Sequence, residues 1–140
     1  MRGIQEIFPM FDYNFHWRPV LKSLPDLLEA SLVTLQVAVL SMIIGIIIGL
    51  FLSITKLKAK GPLQWFASCW IELARNTPAL FQLFFFGFGL GALGIHLTPF
   101  FIVLAGLSFN NAGYLAENFR GGFNAVPETQ MKAARSLGMN

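Results

Sequence analysis

Apolar positions along this 140-residue chain gather into long blocks instead of alternating or recurring as one stripe. Between Glu29 and Lys56 lie 26 residues without a formal charge, and between Arg75 and Glu117 lie 41. One bilayer crossing takes ~20 mostly apolar residues as helix. The first block has room for one crossing and the second for two. The pattern therefore predicts an all-α, multi-pass membrane protein with about three spans: residues 27–54, a second starting near Trp70 or Thr77 and ending near 93, and 99–117.

Signals at the block edges refine these bounds. Ser23-Leu-Pro-Asp26 reads as a helix start. Lys56, Lys58 and Lys60 followed by Gly61-Pro62 read as a stop and a turn. Residues 63–76 carry Trp65 and Trp70 among polar positions, so they read as an amphipathic stretch along the membrane surface. Thr77-Pro78 is either a cap with a first-turn proline or a kink within a longer helix. Thr98-Pro99 opens the last span, and Arg120-Gly121-Gly122 is expected to break it. A short helix at 127–137 is opened by Pro127-Glu128 and closed by Gly138, with Met131, Ala134 and Leu137 on one face. Residues 1–22, with Phe8, Phe11, Tyr13, Phe15 and Trp17, read as an interfacial segment.

Composition agrees: 55% of residues are hydrophobic and 12% charged, against about a quarter charged in soluble domains. The net charge of +3 comes from basic residues at the block edges. No basic run interleaved with aromatics suggests nucleic acid. Met1–Met10 has no apolar core of a secretory signal, and the lone Cys69 cannot form an internal disulfide. Lys56, Lys58, Lys60 and Arg75 flank one side of the spans, Arg120, Lys132 and Arg135 follow the last, and the His96 turn has no basic residue. This asymmetry puts the 56–60 loop and the C-terminal segment in the cytoplasm, and the N-terminus and His96 outside.

Few residues suggest chemistry. Gly89-x-Gly91-x-x-Gly94 matches a dinucleotide fingerprint in spacing but lacks the preceding strand. Close helix packing suits these glycines better, as it does Gly45-x-x-x-Gly49, with chance occurrence in apolar spans as the alternative. His16 and His96 have no neighbours at ligand spacing, so no metal site is expected, and no nucleophilic constellation is present. Six polar residues in or beside the apolar blocks are more informative: Glu72, Arg75, Gln82, Asn110, Asn111 and Glu117. Such groups tend to face a protein interior or a watery path. Helix-to-helix hydrogen bonding is the alternative for the Asn pair, and an i,i+3 interfacial ion pair for Glu72 and Arg75.

Two stretches carry a family signature. One is Ile71-Glu-Leu-Ala-Arg-Asn-Thr-Pro-Ala-Leu-Phe-Gln-Leu83. The other is Leu107-Ser-Phe-Asn-Asn-Ala-Gly-Tyr-Leu-Ala-Glu-Asn-Phe-Arg-Gly-Gly122, continued by Val126-Pro-Glu-Thr-Gln130 and Ala133-Ala-Arg-Ser-Leu-Gly138. With Leu32-Val-Thr-Leu-Gln-Val37, they resemble the permease subunits of bacterial ATP-binding-cassette importers for polar amino acids, of the histidine, glutamine or arginine type. The resemblance covers about 27–140 and implies a permease domain over 23–140, not an enzyme, in the bacterial inner membrane.

The implied partners are a cytoplasmic subunit that binds the ATP, a second permease subunit, an external substrate-binding protein and a polar amino acid; the chain itself holds no cofactor. The resemblance further implies a coupling loop at about 120–140, with Gln130, Ala133, Ala134, Arg135 and Gly138 docking on the ATPase. Lys132 stands where the family has an acid. Glu72, Arg75, Gln82, Asn110, Asn111 and Glu117 are the candidate path residues. Family members continue past the loop into further spans, so a chain stopping at Asn140 is expected to be an incomplete permease. The alternative is a truncated membrane fragment that binds the ATPase or a sister permease without transporting.

Overall fold

The computed structural model describes residues 17–139; the interfacial reading of residues 1–16, His16 included, lies outside them. The described chain is helical and divides after Thr34 into two units. The first holds α1 (Trp17–Lys22) and the opening turns of α2 (Leu24–Lys58). Ser23 is not the sharp start expected. Its N–H donates to the Pro19 carbonyl and its carbonyl accepts from Leu27, both at 3.0 Å, so helical bonding passes through it. Pro25, which has no N–H to donate, accounts for the one-residue interruption.

In the second unit α2 runs on to Lys58, and Gly61 turns the chain at φ 70°, a left-handed value glycine adopts freely. Pro62 then opens α3 (Pro62–Asn76). An apolar helix, Ala79–Ala92, follows: α4 (Ala79–Phe84), one π-helical turn at Phe85–Gly89, and α5 (Leu90–Ala92). Pro99 opens α6 (Pro99–Asn124), and α7 (Glu128–Ser136) follows.

Helices α2 and α6 are long and apolar enough to cross a bilayer. The crossing expected between them takes another form. At 1.5 Å per residue the Ala79–Ala92 helix is ~21 Å long, short of the ~30 Å hydrocarbon layer. It continues the line of α3 beyond a break at Thr77-Pro78, where Thr77 is extended and Pro78 caps α4. Both pieces lie antiparallel along α6: a methyl at Gly113 would strike Ala74, one at Gly106 would come 2.6 Å from Leu83, and one at Gly87 would meet Ile102.

By contrast, α2 runs parallel to α6. A methyl on Gly45 would come 2.7 Å from Asn111 Cβ, one on Gly49 3.0 Å from Leu115 Cβ, and Lys56 reaches Glu117. Small residues thus bring three backbones together, the packing expected where lipid gives no hydrophobic drive. Leu52, Ala67, Ile71, Ala112 and Ala116 form the buried cluster. Ile43, Ile47 and Phe51 point outward and stay exposed, as lipid-facing residues do.

Two further expectations are corrected. Arg120-Gly121-Gly122 does not end α6, which continues to Asn124; two helical glycines cost only ~1 kcal/mol each, and Ala125 N–H still closes on the Gly121 carbonyl at 3.0 Å. Gly89, Gly91 and Gly94 do not pack helices together. The atoms nearest a methyl at Gly89 belong to Phe85 of its own helix, Gly91 and Gly94 face open space, and Gly94 is a left-handed turn at φ 84°.

Candidate functional site

The break at Pro78 organises the polar residues of the second unit. An unbroken helix would bond the N–H of residue 78 to the carbonyl of Ala74. Proline has no N–H and pushes the preceding residue out of helical conformation. Ala74, fully buried, is left with an orphan acceptor in an apolar setting, a costly arrangement unless a donor is found. Two side chains supply donors. Gln82 Nε2 donates to Ala74 O at 2.9 Å and Asn110 Nδ2 donates to it at 3.2 Å. Gln82 Nε2 also reaches the Thr77 carbonyl at 3.2 Å and Oγ1 at 2.8 Å, while Thr77 Oγ1 donates to Leu73 O at 2.7 Å. Gln82 is buried, and its Oε1 accepts nothing.

One helical turn toward α7, Tyr114 donates to the Arg75 carbonyl at 3.4 Å and lies under the Arg75 guanidinium at 5.9 Å. Glu117 follows on the same face of α6. Its Oε1 accepts from Lys56 Nζ at 2.7 Å, and its Oε2 from Arg120 Nε at 2.9 Å and Nη2 at 2.7 Å. Arg75 Nη1 stands 4.0 Å from the same oxygen. One carboxylate, its side chain 15% exposed, thus gathers cations from α2, α3 and α6.

Four of the six expected path residues, Arg75, Gln82, Asn110 and Glu117, are thereby brought onto one side of α6. Asn111 is half-buried against Gly45 of α2. Glu72 lies apart, in an open groove of about 410 Å³ with Trp65, Ser68, Cys69, Leu73, Asn76 and Thr77. Among the described residues no ion pair joins it to Arg75, because Arg75 turns toward Tyr114 and Glu117 instead. Lys56, Arg120 and Thr77, marked in the sequence only as helix-edge signals, and Tyr114 join the site as further members. The i,i+3 spacing of Glu117 and Arg120 was a readable signal; the reach of Lys56 across 61 positions was not.

The α7 helix has a different character. All its residues are exposed except the half-buried Ala134. Gln130, Ala133 and Arg135 stand on its open surface, and Lys132 pairs with Glu128 at 3.2 Å. Gly138, at φ 80°, closes it as expected: its N–H donates to Arg135 O at 3.0 Å, and Met139 N–H to Ala134 O at 3.1 Å.

Two long apolar helices, a broken helix antiparallel to one of them and a short exposed helix beyond it have the make-up of a polytopic membrane protein, and among the described residues no three metal-ligating side chains cluster. The family model described as binding-protein-dependent transport system inner membrane component matches residues 24–140, and the chain belongs to that family. It is 35% identical over 127 residues to the arginine transport system permease protein ArtQ of Bacillus subtilis, covering 90% of this chain and 58% of that protein. It is 31% identical over 137 residues to the glutamate/aspartate import permease protein GltK of Escherichia coli, covering 91% and 60%. A solved structure described as an amino acid ABC transporter with histidines superposes with a TM-score of 0.83 at 34% identity, covering 91% of this chain and 60% of that one. The chain thus spans about three fifths of the length of these relatives.

Proposed function

We propose that this chain is the permease subunit, or part of one, of an ATP-driven importer for a polar amino acid. The observation that carries the reading is the exposed α7 with its left-handed Gly138 closure, standing where the family's coupling helix is expected. Its small Ala133 and Ala134 offer a surface that a groove on an ATP-binding subunit can approach closely. Gln130, Arg135 and Gly138 complete the docking set. The relatives' names, arginine and glutamate/aspartate transport among them, support a polar amino acid as cargo.

The path runs beside α6, past Gln82, Asn110 and Asn111, with Arg75 and Glu117 toward the α7 end and Glu72 in its own groove. A second permease subunit encloses the path, and an external binding protein delivers the cargo. The parallel course of α2 and α6 supports the Lys56–Lys60 loop and α7 lying on one side with His96 on the other, and the basic residues at the α7 end favour the cytoplasm for it.

Reconstitution into liposomes with an ATP-binding subunit and a binding protein tests this. ATP-dependent uptake of a labelled polar amino acid is expected. A stable complex that moves none would support the non-transporting alternative, and failure to bind any ATP-binding subunit would overturn both.

A further inference from the structure

We propose that Glu117 is a positioning residue that makes the neighbouring ends of α2, α3 and α6 move as one body with α7. The role rests on the coupling function proposed for α7.

A push on α7 enters α6 through residues 125–127, the covalent link between them. How it reaches α2 is less obvious. The two helices touch through Gly45 and Gly49 against Asn111, Ala112, Leu115 and Ala116. That contact is van der Waals packing of side chains and backbone against glycine. Among the described residues, Lys56 to Glu117 is the one side-chain hydrogen bond between α2 and α6. Toward α3, Asn110 and Tyr114 hold backbone carbonyls, and Glu117 faces Arg75. Residues 110, 114 and 117 lie on one face of α6, and of its tethers the ionic one lies nearest α7; apart from α6, Gln64 of α3 donates to the Lys56 carbonyl at 3.4 Å.

The charge balance sharpens the role. Three cations surround one carboxylate. Neutralising Glu117 removes two charge-assisted attachments and leaves Lys56, Arg75 and Arg120 repelling one another, so the latch becomes a wedge. Removing Lys56 loses one attachment and relieves repulsion. Glu117→Gln is therefore more disruptive than Lys56→Met, an asymmetry that a simple two-residue bridge does not give.

Amide hydrogen exchange on the chain in lipid nanodiscs tests the clamp without any partner. Glu117→Gln should speed exchange at residues 55–58 about tenfold, as loss of a charge-assisted hydrogen bond allows, and leave 99–108 unchanged. Lys56→Met and Glu117→Asp should each change it less than about threefold. A spin label at Lys58→Cys, in a Cys69→Ser background, then reads transmission. Its mobility should respond to ATPase subunit added at α7 in the parent and Glu117→Asp chains, and not in Glu117→Gln. Unchanged exchange in Glu117→Gln overturns the clamp. Faster exchange with an undiminished label response makes Glu117 merely structural and overturns the positioning role. If the ATPase does not bind even the parent, the coupling reading of α7 falls, and this role with it.

Discussion

Gln82 Nε2 donates to the carbonyl of Ala74 at 2.9 Å, across the proline that deprived that carbonyl of its helical donor. Asn110, from a different helix, donates to the same oxygen. The break between α3 and α4 is thus held by side chains of α4 and α6.

A mutant cycle follows. Gln82→Leu should destabilise the chain by ~1 kcal/mol, the net worth of a buried hydrogen bond, since Asn110 still donates to Ala74. Asn110→Ala should cost ~1 kcal/mol. In a Pro78→Ala background, where residue 78 again has an N–H for Ala74, the Gln82→Leu penalty should at least halve. Chemical unfolding in detergent micelles measures all four; an undiminished penalty would show that Gln82 acts on something other than the proline break.

Close approach of helices makes a second prediction. Gly113→Val and Gly45→Val should destabilise by ~1–3 kcal/mol, as overpacking does, because a first carbon already strikes Ala74 or Asn111. Gly91→Ala, facing open space in α5, should be neutral or slightly stabilising. Unfolding midpoints of the three variants check this ordering, and equal behaviour would refute the small-residue seam.

What the sequence made legible follows from how local each signal is. Uncharged blocks gave α2 and α6, and Lys-Gly-Pro and Thr-Pro gave the turns, because these depend on neighbours in the chain. Gly138 was readable as a helix stop for the same reason. Arg120-Gly121-Gly122 misled because glycine permits a break without compelling one, and Arg120 stays in the helix paired to Glu117. The Glu72 to Arg75 pairing suited i,i+3 spacing but lost to the carboxylate of another helix. The double donation to Ala74 was half visible: Pro78 marks the orphan carbonyl four residues back, and only the packing of α6 names Asn110 as its donor.

Orientation is tested by labelling. In a Cys69→Ser background, an impermeant thiol reagent on intact cells should tag His96→Cys and spare Lys58→Cys, because α2 and α6 run parallel and the basic residues cluster at the α7 end. The reverse pattern would invert the proposed topology.

The most direct measurement places a photoreactive residue at Met131 of α7 and, separately, at Ile95 in the turn before α6, and irradiates membranes containing the ATP-binding subunit. The account predicts an adduct with that subunit from position 131 and none from 95. An adduct from 95, or none from 131 while the subunit is bound, would contradict it.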